Sequence, residues 1–252
     1  MPIPQANTID EVITMLDEIL LRAKREKSQL GYFPALYRKV TIQVKEGVQQ
    51  GLFEDNPRME KLDVIFANRY IEAVHQHWNG EKPTQAWQLS FDACGDRAAI
   101  VLQHLLLGMN AHINLDLGIS AALTSPGSAL PGLRNDFNKI NEVLASLVNN
   151  VKASLTQIWP LLGPLDRMAG ITEDVMINFS MEKARDHAWR TAEKIAPLAS
   201  DQQGPEIAKL DRWVGTFGQV VWKPPLRSAR FFLALIRFGE RKSISEMIDL
   251  LM

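Results

Sequence analysis

The chain has 252 residues, of which 46% are hydrophobic and 23% charged, and this composition is typical of a globular protein with a sizeable core. Its 28 basic and 29 acidic residues leave a net charge of −1, which argues against nucleic-acid binding through a basic excess and against a polybasic membrane anchor. The single cysteine, Cys94, excludes an intrachain disulfide and a CxxC metal site.

The N-terminal segment lacks the basic and apolar regions of a secretory signal, and we therefore expect a cytoplasmic protein. Helix start and stop signals recur from this point onward, whereas hairpin turns are nearly absent. Thr8 and Glu11 form a capping box for the first helix. Pro34 and Gly51 bound the second, although its β-branched run at 40–44 also permits a strand.

Asn56 is the expected N-cap of a third helix, with Pro57 at its first position and Asn79 and Gly80 at its end. The next segments predict a short helix and then a long apolar helix, over 84–94 and about 97–124.

The segment 125–132 is the clearest loop, and the residues after it predict helices over 136–159 and 172–196. The apolar stripe within 226–239 is expected to pack in the core, and a last capping box pairs Ser243 with Glu246. No internal repeat and no flexible linker divides the chain. The sequence therefore predicts one all-α domain over 1–252, a single multi-helix domain of roughly nine or ten helices.

The helix at about 97–124 is apolar on every side, which is typical of a buried central helix surrounded by others. Its polar residues interrupt the run too often for a membrane span, so no membrane association is expected. Since an unpaired buried polar group costs roughly 1–3 kcal/mol, these residues need internal partners. They are His104, Asn110, His112, Asn114 and Asp116.

His112 and Asp116 are separated by one helical turn and project from nearly the same face, so one metal ion could take both. Asp63, on the inward arc of the preceding long helix, is the expected third ligand. His104 lies about 12 Å away along the axis and would serve an outer position, a second ion or proton transfer. The alternative is that His112 and Asp116 only satisfy each other and the backbone of the core.

Glu182 and Asp186 lie one turn apart on a face predicted to carry Trp189. Two such acids could complete a metal site or supply a general base, although pairing with neighbouring arginines is the more common role. Glu72 and His75 have the spacing of a di-iron ligand pair, but no second copy of that motif exists. Nucleotide-binding glycine loops and a G-x-S-x-G elbow are also absent.

The runs IFANRYIEA, LLLGMNAHINLDLG and FSMEKARDHAW resemble an uncharacterised bacterial family of helical proteins that carries a domain-of-unknown-function label. The resemblance covers about residues 30–240 and includes all five polar residues of the central helix. It implies a helical fold and conveys no activity.

The shorter stretch LGMNAHINLDL is similar to the zinc-dependent phospholipase C and single-strand nuclease superfamily of helical hydrolases. The matching positions are Leu107, Gly108, His112 and Asp116. The chain departs from that pattern because it lacks the further histidine after the aspartate and the N-terminal tryptophan.

From these features we expect a metal-dependent enzyme, a hydrolase of an ester or phosphoester rather than an oxygenase, with Zn, Fe or Mn as the divalent ion. His112, Asp116 and Asp63 would bind the metal, and His104, Glu182 and Asp186 would assist catalysis. The alternative is a non-catalytic helical module whose buried polar network is structural or binds a small apolar ligand.

Overall fold

A computed structural model describes residues 3–159 and 181–252 of the protein. The described residues form helices and connecting turns, with no strand among them. In chain order the α-helices are α1 (Ile9–Glu26), α2 (Tyr32–Gln49), α3 (Asn56–Trp78), α4 (Gln85–Ala93), α5 (Val101–Met109), α6 (Gly118–Thr124), α7 (Arg134–Ile158), α8 (Met181–Ile195), α9 (Ser200–Trp222), α10 (Arg227–Gly239) and α11 (Ile244–Leu251). The all-α prediction is confirmed.

The predicted N-caps of the first and last helices are confirmed. The Thr8 hydroxyl accepts a hydrogen bond from the Glu11 backbone N–H at 3.1 Å. Ser243 and Glu246 form a full capping box. For α3 the prediction was one residue late: the Asp55 carboxylate accepts from the Arg58 N–H at 3.0 Å. Aspartate and asparagine are equally good N-cap residues, so the sequence alone did not distinguish Asp55 from Asn56.

The central helix begins at Val101 rather than near 97, because the Glu240 carboxylate accepts from the Val101 N–H at 3.0 Å at that point. It runs through α5, a π-helical segment at Asn110–Leu117, and α6 without a break. Helices α2, α3, α4, α8 and α9 surround it. Every side chain of the π-helical segment is buried, as the sequence predicted for a central helix.

The prediction of a second helix is confirmed, because the β-branched run at 40–44 lies within α2. The predicted loop at 125–132 contains a 3₁₀ helix at Gly127–Leu133, since short turns of this kind often connect α-helices. The predicted helix start at residue 172 lies outside the described residues, and the described part of that helix is α8.

The apolar stripe of α10 does not lie wholly in the core. Ile236 is buried, whereas Phe231, Leu235 and Phe238 are exposed. An amphipathic pattern shows that a helix has an apolar face, but it does not show which neighbour covers that face. Among the described residues, no helix is long and apolar enough to cross a membrane.

Candidate functional site

The Asp116 carboxylate is the most deeply buried charge of the central helix, with 1% of its side chain exposed. One oxygen accepts from Arg69 Nε of α3 and the other from Trp87 Nε1 of α4, each at 2.7 Å. Burial raises the pKa of Asp116, while Arg69 and the hydrogen bond from Trp87 oppose that rise. The π-helical segment is therefore fixed to two neighbouring helices through one side chain.

The two asparagines of the π-helical segment form hydrogen bonds within the protein. Asn114 Nδ2 donates to Asn110 Oδ1 at 2.9 Å, and Asn110 Nδ2 donates to the Val214 carbonyl of α9 at 3.0 Å. Both side chains are buried, so these bonds offset the cost of removing the amides from water. Here the polar residues of the central helix act as structural groups.

His112 lies in an aromatic enclosure. Its ring stacks on Phe66 with the centroids 3.5 Å apart, and Tyr37 meets it edge-on at 4.3 Å. Phe33 also packs edge-on against it at 5.5 Å, and its ring lies directly against Gly108, where a Cβ would overlap it. This close approach requires the glycine.

Neither ring nitrogen of His112 has a hydrogen-bond partner. Its Nδ1 lies 4.0 Å from the Asp116 carboxylate, beyond hydrogen-bond distance. Burial, with a smaller contribution from Arg69, lowers the pKa of His112 well below its usual value, so the imidazole is neutral. It therefore has one N–H donor and one acceptor without partners.

Asp63 points inward from α3, as predicted, with 8% of the residue exposed. Its Oδ2 has no hydrogen-bond partner. Burial, together with the nearby Glu60 charge, raises the pKa of Asp63 to about 7. The Tyr37 hydroxyl is likewise buried without a partner, and burial, with a smaller contribution from the Asp63 charge, raises the pKa of Tyr37 well above its usual value.

An apolar cavity of about 510 Å³ connects these groups, and His112, Asp63 and Tyr37 contribute to its wall. Aliphatic and aromatic side chains of α2, α3, α5 and α7 form most of the lining. The remaining polar side chains on the wall are Asn141, Glu182 and Arg185.

Arg185 is the buried cation of this wall, with 5% of the residue exposed. Its guanidinium packs on the Phe137 ring at 4.4 Å and donates to the Phe137 carbonyl, while Nε has no partner. Within residues 3–159 and 181–252 no carboxylate forms an ion pair with it. Burial lowers the pKa of Arg185 to about 10, so the side chain stays charged at neutral pH.

Of the other predicted site residues, Glu182 lies on the cavity wall, whereas His104 and Asp186 do not. His104 packs against Tyr32 with the ring centroids 5.5 Å apart; burial lowers its pKa to about 4, and both its nitrogens lack partners. Glu182 is exposed where it meets the cavity, and Asp186 is exposed. The two acids were predicted to share a face with Trp189, but Trp189 is buried whereas both acids are exposed.

His112, Asp116 and Asp63 were predicted to meet at one metal ion. The described part of the chain has no group of three or more His, Cys, Asp or Glu side chains placed to hold one. The physical reason at Asp116 is that each of its oxygens already accepts a hydrogen bond, from Arg69 and from Trp87.

Sequence reasoning did not identify Arg69, Trp87 or Arg185. For Arg69 a signal existed: it precedes the inward Tyr70 on α3, opposite a central helix that carries a lone buried acid. Trp87 and Arg185 have no comparable signal, because their roles depend on which helices become neighbours.

We expect Arg69→Met to lower the free energy of unfolding by about 3–5 kcal/mol, because it leaves a buried carboxylate without its cation. Trp87→Phe should cost less, about 1–3 kcal/mol, for one lost hydrogen bond. Urea denaturation measures both. Arg25→Met is the matched control, since its side chain is exposed and its contact with Glu26 should contribute less than about 1 kcal/mol. If Arg69→Met lowered the free energy of unfolding by less than about 1 kcal/mol, Arg69 would not stabilise the buried Asp116 carboxylate as proposed.

The Asp63 carboxyl should make stability depend on pH. Its pKa is higher in the folded protein, about 7, than in the unfolded chain, so the folded state binds the proton more tightly. The free energy of unfolding should therefore fall as pH rises from about 4 to about 7 and then level off.

Asp63→Asn should remove the pH-dependent contribution of Asp63 to stability. The free energy of unfolding of this variant, measured relative to that of the parent protein, should therefore rise by roughly 2–4 kcal/mol between about pH 4 and pH 7. Burial also raises the pKa of Glu240 to about 7, and comparing the variant with the parent cancels that second contribution. Glu206→Gln, which removes an exposed carboxyl, controls for the loss of a charge. If the free energy of unfolding depended on pH in the same way for Asp63→Asn and the parent, Asp63 would ionise in the folded protein as readily as in water, and the prediction would be wrong.

The comparison with known proteins identifies a family but no activity. Residues 9–224 match the model of a family described as a family of unknown function, DUF5995. No curated protein matches the chain, and no solved structure does. The local similarity of LGMNAHINLDL to zinc-dependent hydrolases receives no support from these matches. The chain belongs to the DUF5995 family of unknown function.

Proposed function

We propose that the protein binds an elongated apolar molecule with an acidic head group, such as a long-chain fatty acid, inside the cavity. The observation that carries the proposal is a buried, charged Arg185 on the wall of an apolar space of about 510 Å³. Pockets that hold small organic ligands are typically about 300–1,000 Å³ and mainly apolar, with few polar groups that fix orientation.

The lining supports an apolar tail. Leucine side chains of the central helix, such as Leu105 and Leu106, face the space together with Leu36 and Val44 of α2. An apolar chain placed there leaves water without exposing a polar group, which favours binding by about 25 cal/mol per Å² of buried area.

Arg185 supports an anionic head group. A buried guanidinium is expensive unless it is paired, and no described carboxylate pairs with it. A ligand carboxylate would supply the missing charge and accept from Nε, and such charge-assisted hydrogen bonds are about twice as strong as neutral ones.

The polar groups that α2, α3 and the π-helical segment contribute to the cavity wall do not repel an anion. His112 is neutral, and the Asp63 carboxyl, with a pKa of about 7, is largely protonated below neutral pH. Together with the Tyr37 hydroxyl they offer hydrogen bonds without a fixed negative charge at mildly acidic pH. The affinity for the acidic ligand should therefore decrease as pH rises through about 7.

The test compares palmitate with hexadecanol, which has the same chain length and lacks the carboxylate. We expect the parent protein to bind palmitate more tightly, and Arg185→Met to weaken palmitate binding about 10–100-fold, since a hydrogen bond to a charged group contributes about 1.5–3 kcal/mol. Hexadecanol binding should change little. Displacement of a fluorescent fatty-acid analogue gives both affinities, and circular dichroism reports folding.

Leu106→Trp should weaken both ligands, because the larger side chain fills the cavity. Val220→Trp, at an exposed position of α9, is the control for the added indole. Equal affinities for palmitate and hexadecanol, unaffected by Arg185→Met, would contradict the acidic head group. No binding of either ligand would contradict the proposal as a whole.

A second proposal is the metal-dependent hydrolase expected from the sequence. It is favoured by two buried groups without partners on the cavity wall, the His112 ring nitrogens and Asp63 Oδ2, since both are ligand types for Zn, Fe or Mn. A bound divalent ion would acidify a water molecule for attack on an ester of an apolar substrate.

Elemental analysis of untagged protein should then find about one equivalent of Zn, Fe or Mn, and His112→Ala should lose it while remaining folded. His77→Ala, a half-buried histidine packed against Phe91, is the matched control. Metal-free protein that binds no added ion and keeps the same thermal stability with a chelator would exclude this second proposal.

A further inference from the structure

We propose that α10 and the turns at its two ends form a docking surface for an anionic lipid membrane. The surface consists of the exposed apolar residues of α10 and the basic residues around them, and we call it the α10 surface. It lies outside the cavity wall and stands independently of the proposed ligand.

The apolar part of the α10 surface is aromatic and faces outward. Phe231, Leu235 and Phe238 are 62%, 49% and 75% exposed, respectively, although large apolar side chains are usually buried. At about 100° per residue they fall within about 60° of one another, so they form one stripe. Ile236 and Leu233 point the other way and pack in the core, which fixes the stripe toward the outside.

The basic part surrounds this stripe. Residues 223–242 contain six basic residues and one acidic residue, against a net charge of −1 for the whole chain. The basic residues are Lys223, Arg227, Arg230, Arg237, Arg241 and Lys242. The acidic one, Glu240, is buried and binds the start of α5 and Arg237, so it does not neutralise the exposed cations.

In the part of the chain that the structure describes, two other carboxylates interact with these cations, and both do so at the ends of the surface. Asp96 interacts with Lys223, and Glu246 with Lys242. Arg227 and Arg241 are exposed and take part in no ion pair within the described ranges, and Arg241 lies over the Phe238 ring at 5.1 Å. The charge beside the aromatic stripe is therefore uniformly positive and open to an anionic partner.

A membrane surface fits this combination better than a second copy of the chain. A symmetric dimer through the α10 surface would bring like charges together, which is unfavourable. An interfacial helix carries Phe, Trp or Leu on one face and Lys or Arg beside it; its apolar side enters the boundary between headgroups and acyl chains. Anionic lipid then attracts each nearby cation.

The experiment is co-sedimentation of the full chain with vesicles of phosphatidylcholine, with and without phosphatidylglycerol. We expect binding to the anionic vesicles, little binding to the neutral ones, and loss of binding at high salt. Phe231→Ser with Phe238→Ser should weaken binding by at least about tenfold, because two aromatic side chains no longer enter the interface. Arg227→Gln with Arg241→Gln should weaken it by a similar factor, at roughly fivefold for each cation removed.

Leu21→Ser and Arg25→Gln are the matched controls, because these α1 residues are as exposed as the substituted ones and lie elsewhere. The proposal is supported if only the α10 variants lose binding. It is overturned if the controls weaken binding equally or if neutral vesicles bind as well as anionic ones. Sedimentation velocity without vesicles distinguishes two further outcomes that would overturn the proposal. A dimer that the phenylalanine variants abolish would assign the surface to a second copy of the chain. A monomer that binds no vesicles would assign it to an acidic protein partner.

Discussion

The buried carboxylate of Asp116 is the constraint on which the centre of the molecule depends. An ionised group removed from water is expensive unless it is paired and hydrogen-bonded, and here two different helices supply the partners. Arg69 reaches it from α3 and Trp87 from α4, so both helices must keep one register against the central helix. Arg69 reaches the buried site while 23% of its side chain remains exposed, so the pair keeps some contact with solvent.

The π-helical segment follows from the same constraint. A π-helix uses i→i+5 hydrogen bonds, so it widens the helix locally and turns the side chains differently from an α-helix. Within Asn110–Leu117 this geometry serves several requirements at once: Asp116 reaches two helices, Asn110 reaches the α9 backbone, and His112 enters the aromatic enclosure. Such segments are uncommon and often occur at functional sites, because their cost must be offset by the contacts they permit.

The sequence predicted the parts of the site that depend on periodicity alone. A helix apolar on every side must be central, and hence His112 and Asp116 had to be buried; the inward arc of α3 likewise placed Asp63 inside. The sequence did not predict how the buried groups pair. Arg69 satisfies Asp116 from another helix, and the π-helical segment has no local pattern of its own, because tertiary contacts select it. The same limit applies to Arg185, whose importance comes from the cavity beside it.

The buried polar groups of the central helix and of the cavity wall divide into those that form hydrogen bonds within the protein and those that do not. Asp116, Asn110 and Asn114 form hydrogen bonds within the described chain, and their role is structural. The His112 ring nitrogens and Arg185 Nε remain unsatisfied at the same apolar space, and each such buried atom lowers stability by about 1–3 kcal/mol. A fold that needed these residues only for packing would gain stability from apolar side chains of similar size. Their presence on one wall is the basis of the proposal that a molecule enters the cavity.

Net charge is a sum, and it does not describe where the charges lie. The value of −1 for the whole chain argued against a polybasic membrane anchor, yet six cations and one acid occupy the twenty positions at 223–242. The helix within that segment has two apolar sides, and only the side carrying Ile236 packs against the core. An uncovered aromatic stripe decreases solubility unless charges surround it or a partner covers it. The exposed charges around the α10 stripe are positive, and they are the basis of the proposal that this surface binds an anionic membrane.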